Sequence, residues 1–226
     1  MDKVQELGYS SQESVIRTNK MIRNTYMLLG MTLGFSAVTA VISMMINPPF
    51  IVYIGSVLVS FGLIFVLNRK QNSAAALPLI FAFTGLMGFG LGPLLNHYLA
   101  MAGGGQIVMT ALGMTALTFV GLSAYVMSSK KDFSFMGGFL ATGAIVMLIA
   151  MVVLLVLPFF GVHIPALHLA FSALVVLLMA GFILYDTSNI VNGHYQNYIM
   201  ATVGLYLSIY NLFVHLLHLV GVLSSD

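Results

Sequence analysis

From residue 25 onward the chain is a succession of long apolar runs. They lie near 25–46, 50–67, 75–98, 106–128, 136–159, 166–188 and 198–222. Each is long enough to cross ~30 Å of hydrocarbon, which takes about 20 helical residues. The runs lack the in–out alternation of barrel strands, so each predicts a helix. The breaks between them carry helix-stopping residues. Asn47-Pro48-Pro49 follows the first run, Gly103-Gly104-Gly105 precedes the fourth, and Pro158 and Pro165 bracket the loop after the fifth. The pattern predicts an all-α, polytopic membrane protein with seven transmembrane helices. Its parts are an N-terminal tail at 1–24, a seven-helix domain at 25–222 and a short C-terminal tail at 223–226. Seven spans consume nearly everything after residue 24, so no extramembrane catalytic domain fits.

Composition supports this class. The 226 residues are 60% hydrophobic and 6% charged, where a soluble domain usually carries about 25% charged residues. The net charge of +2 is too small for a nucleic-acid footprint. Its placement is more telling than its size. Lys3, Arg17, Lys20 and Arg23 precede the first run, together with Asp2, Glu6 and Glu13. Arg69-Lys70 lies between spans two and three, and Lys130-Lys131 between spans four and five. The loops at 47–49, 99–105 and 160–165 carry no Lys or Arg, so all eight basic residues fall on one side. That side is expected to be cytoplasmic, with the N-terminus in the cytoplasm and the C-terminus outside. The loop at 189–197 is also cytoplasmic on this reading, although it holds only His194. No small-residue cleavage site follows the first run, so the first span is expected to act as its own insertion signal. The absence of Cys excludes disulfides and thiolate metal sites.

Against this background Asp186 stands alone. It is the only Asp or Glu between Asp132 and Asp226, and no Lys or Arg follows Lys131. It lies about 20 residues into span six, toward the cytoplasmic end. A carboxylate inside a membrane span is costly and marks a candidate functional site. It reads either as a buried titratable gate or relay group, or as an interfacial residue that reaches water. Arg69, Lys70, Lys130 and Lys131 are its candidate cationic partners. Span seven adds a polar stripe: Gly204, Ser208, Asn211, His215 and His218 are spaced to share one helical face. Such a stripe serves interhelical hydrogen bonds or lines a polar path. His97, His163 and His168 fall at the outer ends of spans three, five and six and could approach one another. The five-residue separation of His163 and His168 is not that of a helical metal pair, so no metal or cofactor is assigned.

Hydrolase signatures are missing: there is no His-Glu-x-x-His, no Gly-x-Ser-x-Gly and no phosphate-binding Gly-Lys loop. With one intramembrane carboxylate an aspartyl dyad cannot form. An enzyme is therefore not expected. Gly30-x-x-x-Gly34 and Gly88-x-x-x-Gly92 predict close helix approaches, and Gly137, Ala141 and Gly143 crowd span five. Tyr26, Tyr98, Tyr125, Tyr195 and Tyr198 are expected in the interfacial belts.

Several segments together resemble the Bax inhibitor-1 family. They are Asn24-Thr25-Tyr26, Phe81-Ala82-Phe83-Thr84-Gly85, Gly92-Pro93-Leu94-Leu95-Asn96 and Lys130-Lys131-Asp132-Phe133-Ser134-Phe135, followed by Leu184-Tyr185-Asp186-Thr187 and the stretch Leu205–Phe213. The match runs through essentially the whole chain in order. Ala166-Leu167-His168-Leu169-Ala170 and Thr187-Ser188-Asn189-Ile190 resemble the bacterial YccA-like branch. The resemblance implies a seven-helix fold whose last helix is central. It also implies, for some members, a pH-sensitive cation leak, mainly of calcium. There, two aspartates on spans six and seven share a proton and close the path through a span-two arginine. Asp186 matches the first aspartate and Ser208 stands at the second, so the coupled titration of a dyad is absent here. Asp186, Ser208, Asn211 and His215 are then the ion-path and pH-sensing candidates, with Arg69 or Lys70 as the latch cation. The bacterial branch implies a different role. Its members are inner-membrane partners, modulators and slow substrates of the membrane-anchored FtsH protease, for which residues 1–24 would be a cytoplasmic handle.

Overall fold

The computed structural model describes residues 2–129, 131–162 and 164–224, with side chains from residue 16 onward. Lys130 and His163 lie outside the described residues. Seven α-helices follow in order: α1 Asp2–Ile46, α2 Ile51–Lys70, α3 Ala76–Leu99, α4 Gly104–Ser129, α5 Gly137–Val156, α6 Pro165–Val191 and α7 Tyr198–Leu223. Short 3₁₀ turns at Ser134–Met136 and Leu157–Phe160 extend α5 at both ends. All seven are long and apolar enough to cross a membrane, and no strand occurs among the described residues. The predicted all-α, polytopic class holds. The span ends fall within about three residues of those expected, except at the start. There α1 begins far upstream of residue 25, so the change of composition at 24/25 falls inside one helix.

Helix ends follow the expected stop residues. Asn47 takes a left-handed φ of 52° after α1 and lets Pro48 and Pro49 redirect the chain. Asn96 of α3 secures that corner, donating to the Met44 carbonyl at 3.1 Å and to Asn47 Oδ1 at 2.8 Å. Burial separates the helices. In α3 and α7, 56% of the apolar stretch is buried, against 11–28% in the other five. The last helix and α3 are thus the most buried of the seven.

The chain divides into two compact units: Met1–Asn96 with Asp186–Tyr206, and His97–Tyr185 with Leu207–Asp226. In the first, α3 presents Gly85, Gly88 and Gly92 to α1. A side chain on Gly88 would meet the Ser36 carbonyl and Thr39, and one on Gly92 would meet Ser43. Gly90, on another face, lies against Ser56 of α2. The close approach lets Ser36 Oγ reach Tyr206 Oη at 2.7 Å, and Tyr206 in turn donates to the Thr84 carbonyl at 3.3 Å. The Tyr206 ring meets Phe83 edge-on, with centroids 5.5 Å apart. Gly30 and Gly34 behave differently. Nothing lies within 4 Å of where their side chains would stand, so the expected close approach at that pair is not made. In the second unit, Gly143 of α5 receives Leu178 of α6, while Gly181 of α6 receives Leu140 of α5. Gly137 lies against the Tyr185 ring.

This packing separates two glycines that look alike in sequence. Gly88→Ala forces a methyl group onto α1 backbone and is expected to destabilise the fold by about 1–3 kcal/mol. Gly34→Ala faces open space and is expected to stay within about 0.5 kcal/mol of the parent. Chemical unfolding of the two variants in detergent micelles compares them directly.

Candidate functional site

The last two turns of α6 bear a run of polar residues, Asp186-Thr187-Ser188-Asn189, in a largely apolar helix. Burying polar groups in lipid-like surroundings is costly unless each is hydrogen-bonded. Each of these four has a partner in the first unit. Asp186 Oδ1 accepts from the Tyr195 hydroxyl at 2.8 Å. Thr187 Oγ1 lies 3.3 Å from Tyr26 Oη of α1. Ser188 Oγ accepts from Asn192 Nδ2 at 3.2 Å, and Asn189 Oδ1 lies 3.1 Å from His194 Nδ1.

Local chemistry explains how Tyr195 returns to Asp186. Gly193 has φ 74°, the left-handed residue that closes a helix C-terminus. Its N–H bonds the Ile190 carbonyl at 3.3 Å and the His194 N–H bonds the Asn189 carbonyl at 2.8 Å, the paired bonds of a Schellman stop. The chain therefore reverses directly after α6. Two residues past Tyr195, Asn197 caps α7 by accepting from the N–H groups of Ile199 at 2.8 Å and Met200 at 3.3 Å. Its Nδ2 also donates to the Gln71 carbonyl at 2.8 Å and to Asn72 Oδ1 at 2.9 Å. This ties the α2–α3 loop to the α6–α7 loop. Gly204 of α7 completes the site. A side chain there would stand 3.0 Å from Asp186 Oδ2 and 3.3 Å from the Tyr195 hydroxyl, so the missing Cβ makes room for the carboxylate.

The site is a buried carboxylate, 4% exposed, that accepts a hydrogen bond from one phenol. Among the described residues no three His, Asp or Glu side chains are arranged to hold a metal ion. Arg69 and Lys70 are exposed at the end of α2, immediately before the Gln71–Asn72 segment that Asn197 clips. The structure thus brings the backbone next to the candidate latch cations to the loop that holds Tyr195, while Asp186 itself is bonded to Tyr195.

The span-seven stripe does not behave as one feature. Gly204 belongs to the Asp186 site. Ser208 is buried at 4% exposure. Asn211 donates to the Leu207 carbonyl of its own helix at 2.8 Å. His215 and His218 instead meet a shared partner on α6, Ser172. Of the expected tyrosine belt, Tyr125 is exposed and accepts from Lys131 at 3.2 Å. Tyr98 is buried against Gly221, and Tyr26 and Tyr195 make the internal bonds above. Sequence reasoning missed Tyr195, Asn197 and Ser172 as site residues. Asn192-Gly193 and an Asn one residue before the last apolar run were readable helix stop and start signals. A single Ser in a long apolar span carried no comparable signal.

The chain is similar in sequence to known proteins along essentially its whole length. The family described as "Inhibitor of apoptosis-promoting Bax1" matches residues 18–225. A protein of Escherichia coli strain K12 named "Modulator of FtsH protease YccA" is 45% identical over 226 residues, the full length of both chains. One from Escherichia coli O6:H1 named "Inner membrane protein YccA" is equally similar. A Vibrio cholerae protein named an uncharacterized membrane protein is 45% identical over 218 residues, 96% of each chain. With a family match covering residues 18–225 and such identity along its whole length, this chain belongs to the Bax inhibitor-1 family.

Proposed function

We propose that this chain is a bacterial inner-membrane protein that binds and modulates the FtsH protease in membrane-protein quality control. The observation that carries the proposal is 45% identity over the full length of a relative named as a modulator of that protease. The orientation inferred from Lys and Arg placement puts the N-terminus on the cytoplasmic side. There α1 extends from the first span back to Asp2. On this reading the upstream turns of α1 are the handle the protease engages, and the seven spans keep the chain in the bilayer.

Co-purification from membranes and degradation of a membrane-protein substrate test this with purified FtsH from the same organism. The full chain is expected to be retained by the protease and to slow degradation of the substrate. Removal of residues 2–14, which leaves the described span from Ile16 intact, is expected to abolish retention. A truncated chain retained as well as the full one removes the handle. A full chain that neither binds nor slows the protease removes the modulator reading.

A second reading is a pH-sensitive leak for calcium or other cations, governed by protonation of Asp186. It is favoured by one feature, a buried carboxylate with a single phenol partner and a glycine beside it. In proteoliposomes this reading expects calcium flux that depends on pH in the parent chain. In Asp186→Asn, which cannot gain or lose that proton, the pH dependence is expected to vanish. Flux equal to that of protein-free liposomes at every pH removes the reading.

A further inference from the structure

A second polar cluster lies in the other unit, on the first half of α6 and the second half of α7. Ser172 Oγ is 2.9 Å from His218 Nδ1 and 3.1 Å from His215 Nδ1. Ser172 is 3% exposed, and the Phe171 ring packs edge-on against His215 with centroids 5.5 Å apart. A serine hydroxyl has one proton to donate and lone pairs to accept with. Placed between two imidazoles, it can donate to one Nδ1 and accept from the other. In that arrangement the two rings differ: one Nδ1 is bare and the other carries hydrogen. We propose that His215, Ser172 and His218 form a proton relay, a two-imidazole site that takes up a proton and passes it between the rings through the serine hydroxyl.

The transfer balances without any further reactant. With His215 as the charged ring, its Nδ1 proton moves to Ser172 Oγ while the serine proton moves to His218 Nδ1. One N–H and one O–H bond break, and one O–H and one N–H bond form. The charge passes to His218, and the hydroxyl then donates to His215 instead. Release of a proton from His218 Nε2 then leaves each ring in the opposite tautomer, and passage of a proton in the reverse direction restores the starting state. Two rings joined this way titrate as a coupled pair in two steps, not as independent groups.

The surroundings within this unit are sparse in charge. His168 lies four residues before Ser172, on the same face of α6. Tyr98, in the last turn of α3, packs against Gly221, three residues beyond His218, with His97 beside it. Between Gly104 and Phe160 the described ionisable residues are Tyr125, Lys131 and Asp132, at or in the loop joining α4 to α5. By the alternation of the helices that loop is at the end opposite to Ser172. The relay requires neither the protease nor a cation leak, and its site shares no residue with that of Asp186.

Histidine ¹⁵N NMR of the full chain in lipid nanodiscs, across about pH 5 to 9, tests the relay. His215→Gln and His218→Gln each remove one set of signals and assign them. At the neutral end the two rings are expected to show unlike tautomers, and on acidification to titrate in two linked steps. Ser172→Ala is expected to remove the difference in tautomer between the rings, while Ser172→Thr, which keeps a hydroxyl, is expected to preserve it. Asp186→Asn is expected to change neither ring. Like tautomers in the unsubstituted chain would overturn the relay, as would unlike tautomers that persist in Ser172→Ala. The unsubstituted spectrum decides the matter by itself if Ser172→Ala does not fold.

Discussion

The bond between the Tyr195 hydroxyl and Asp186 is the constraint around which one end of the first unit is arranged. A carboxylate in an apolar helix is tolerated only with a donor and with room to stand. Both requirements dictate structure well beyond the pair. The donor sits nine residues further along the chain, so α6 must stop and reverse at once, which Gly193 permits. The room comes from α7, where Gly204 leaves out a side chain. Asn197 then caps α7 and clips the α2–α3 loop with the same side chain. One buried charge thus fixes a helix stop, a helix start and the position of a neighbouring loop.

The same economy runs through the rest of the fold. Where lipid-like surroundings offer no hydrogen bonds, helices approach closely at small residues and spend their few hydroxyls on one another. Gly88 and Gly92 bring α3 against α1, which is what allows Ser36, Tyr206 and Thr84 to join. Gly143 and Gly181 do the equivalent for α5 and α6, each accepting a leucine from the other helix. The two polar clusters of α6 are therefore supported by different neighbours.

Much of the fold was legible in the sequence because the membrane reduces the choices. Continuous apolar runs can only be helices there, and Asn47-Pro48-Pro49 or Gly103 can only be breaks. What was not legible depends on rotation of one helix against another. Gly30-x-x-x-Gly34 and Gly88-x-x-x-Gly92 have identical spacing, yet one pair faces open space and the other faces α1. Helix α1 begins upstream of the first apolar run because polar residues continue a helix as readily as they leave it, so composition marks the span and not the helix. Asp186 was conspicuous as a lone charge, whereas Tyr195 was read as part of a belt. A tyrosine near a span end serves either role, and only the reversal at Gly193 decides which. His215 and His218 were legible as a stripe; their common partner Ser172 was not.

Family membership and the protease proposal rest on the whole chain, while the physical account rests on the Asp186–Tyr195 bond. A double-mutant cycle with Asp186→Ala, Tyr195→Phe and the double variant, unfolded chemically in the same micelles, measures that bond most directly. The account predicts a coupling energy of about 1–2 kcal/mol, at the upper end of that seen between polar side chains of membrane helices. Single effects that add to within about 0.3 kcal/mol in the double variant would contradict it.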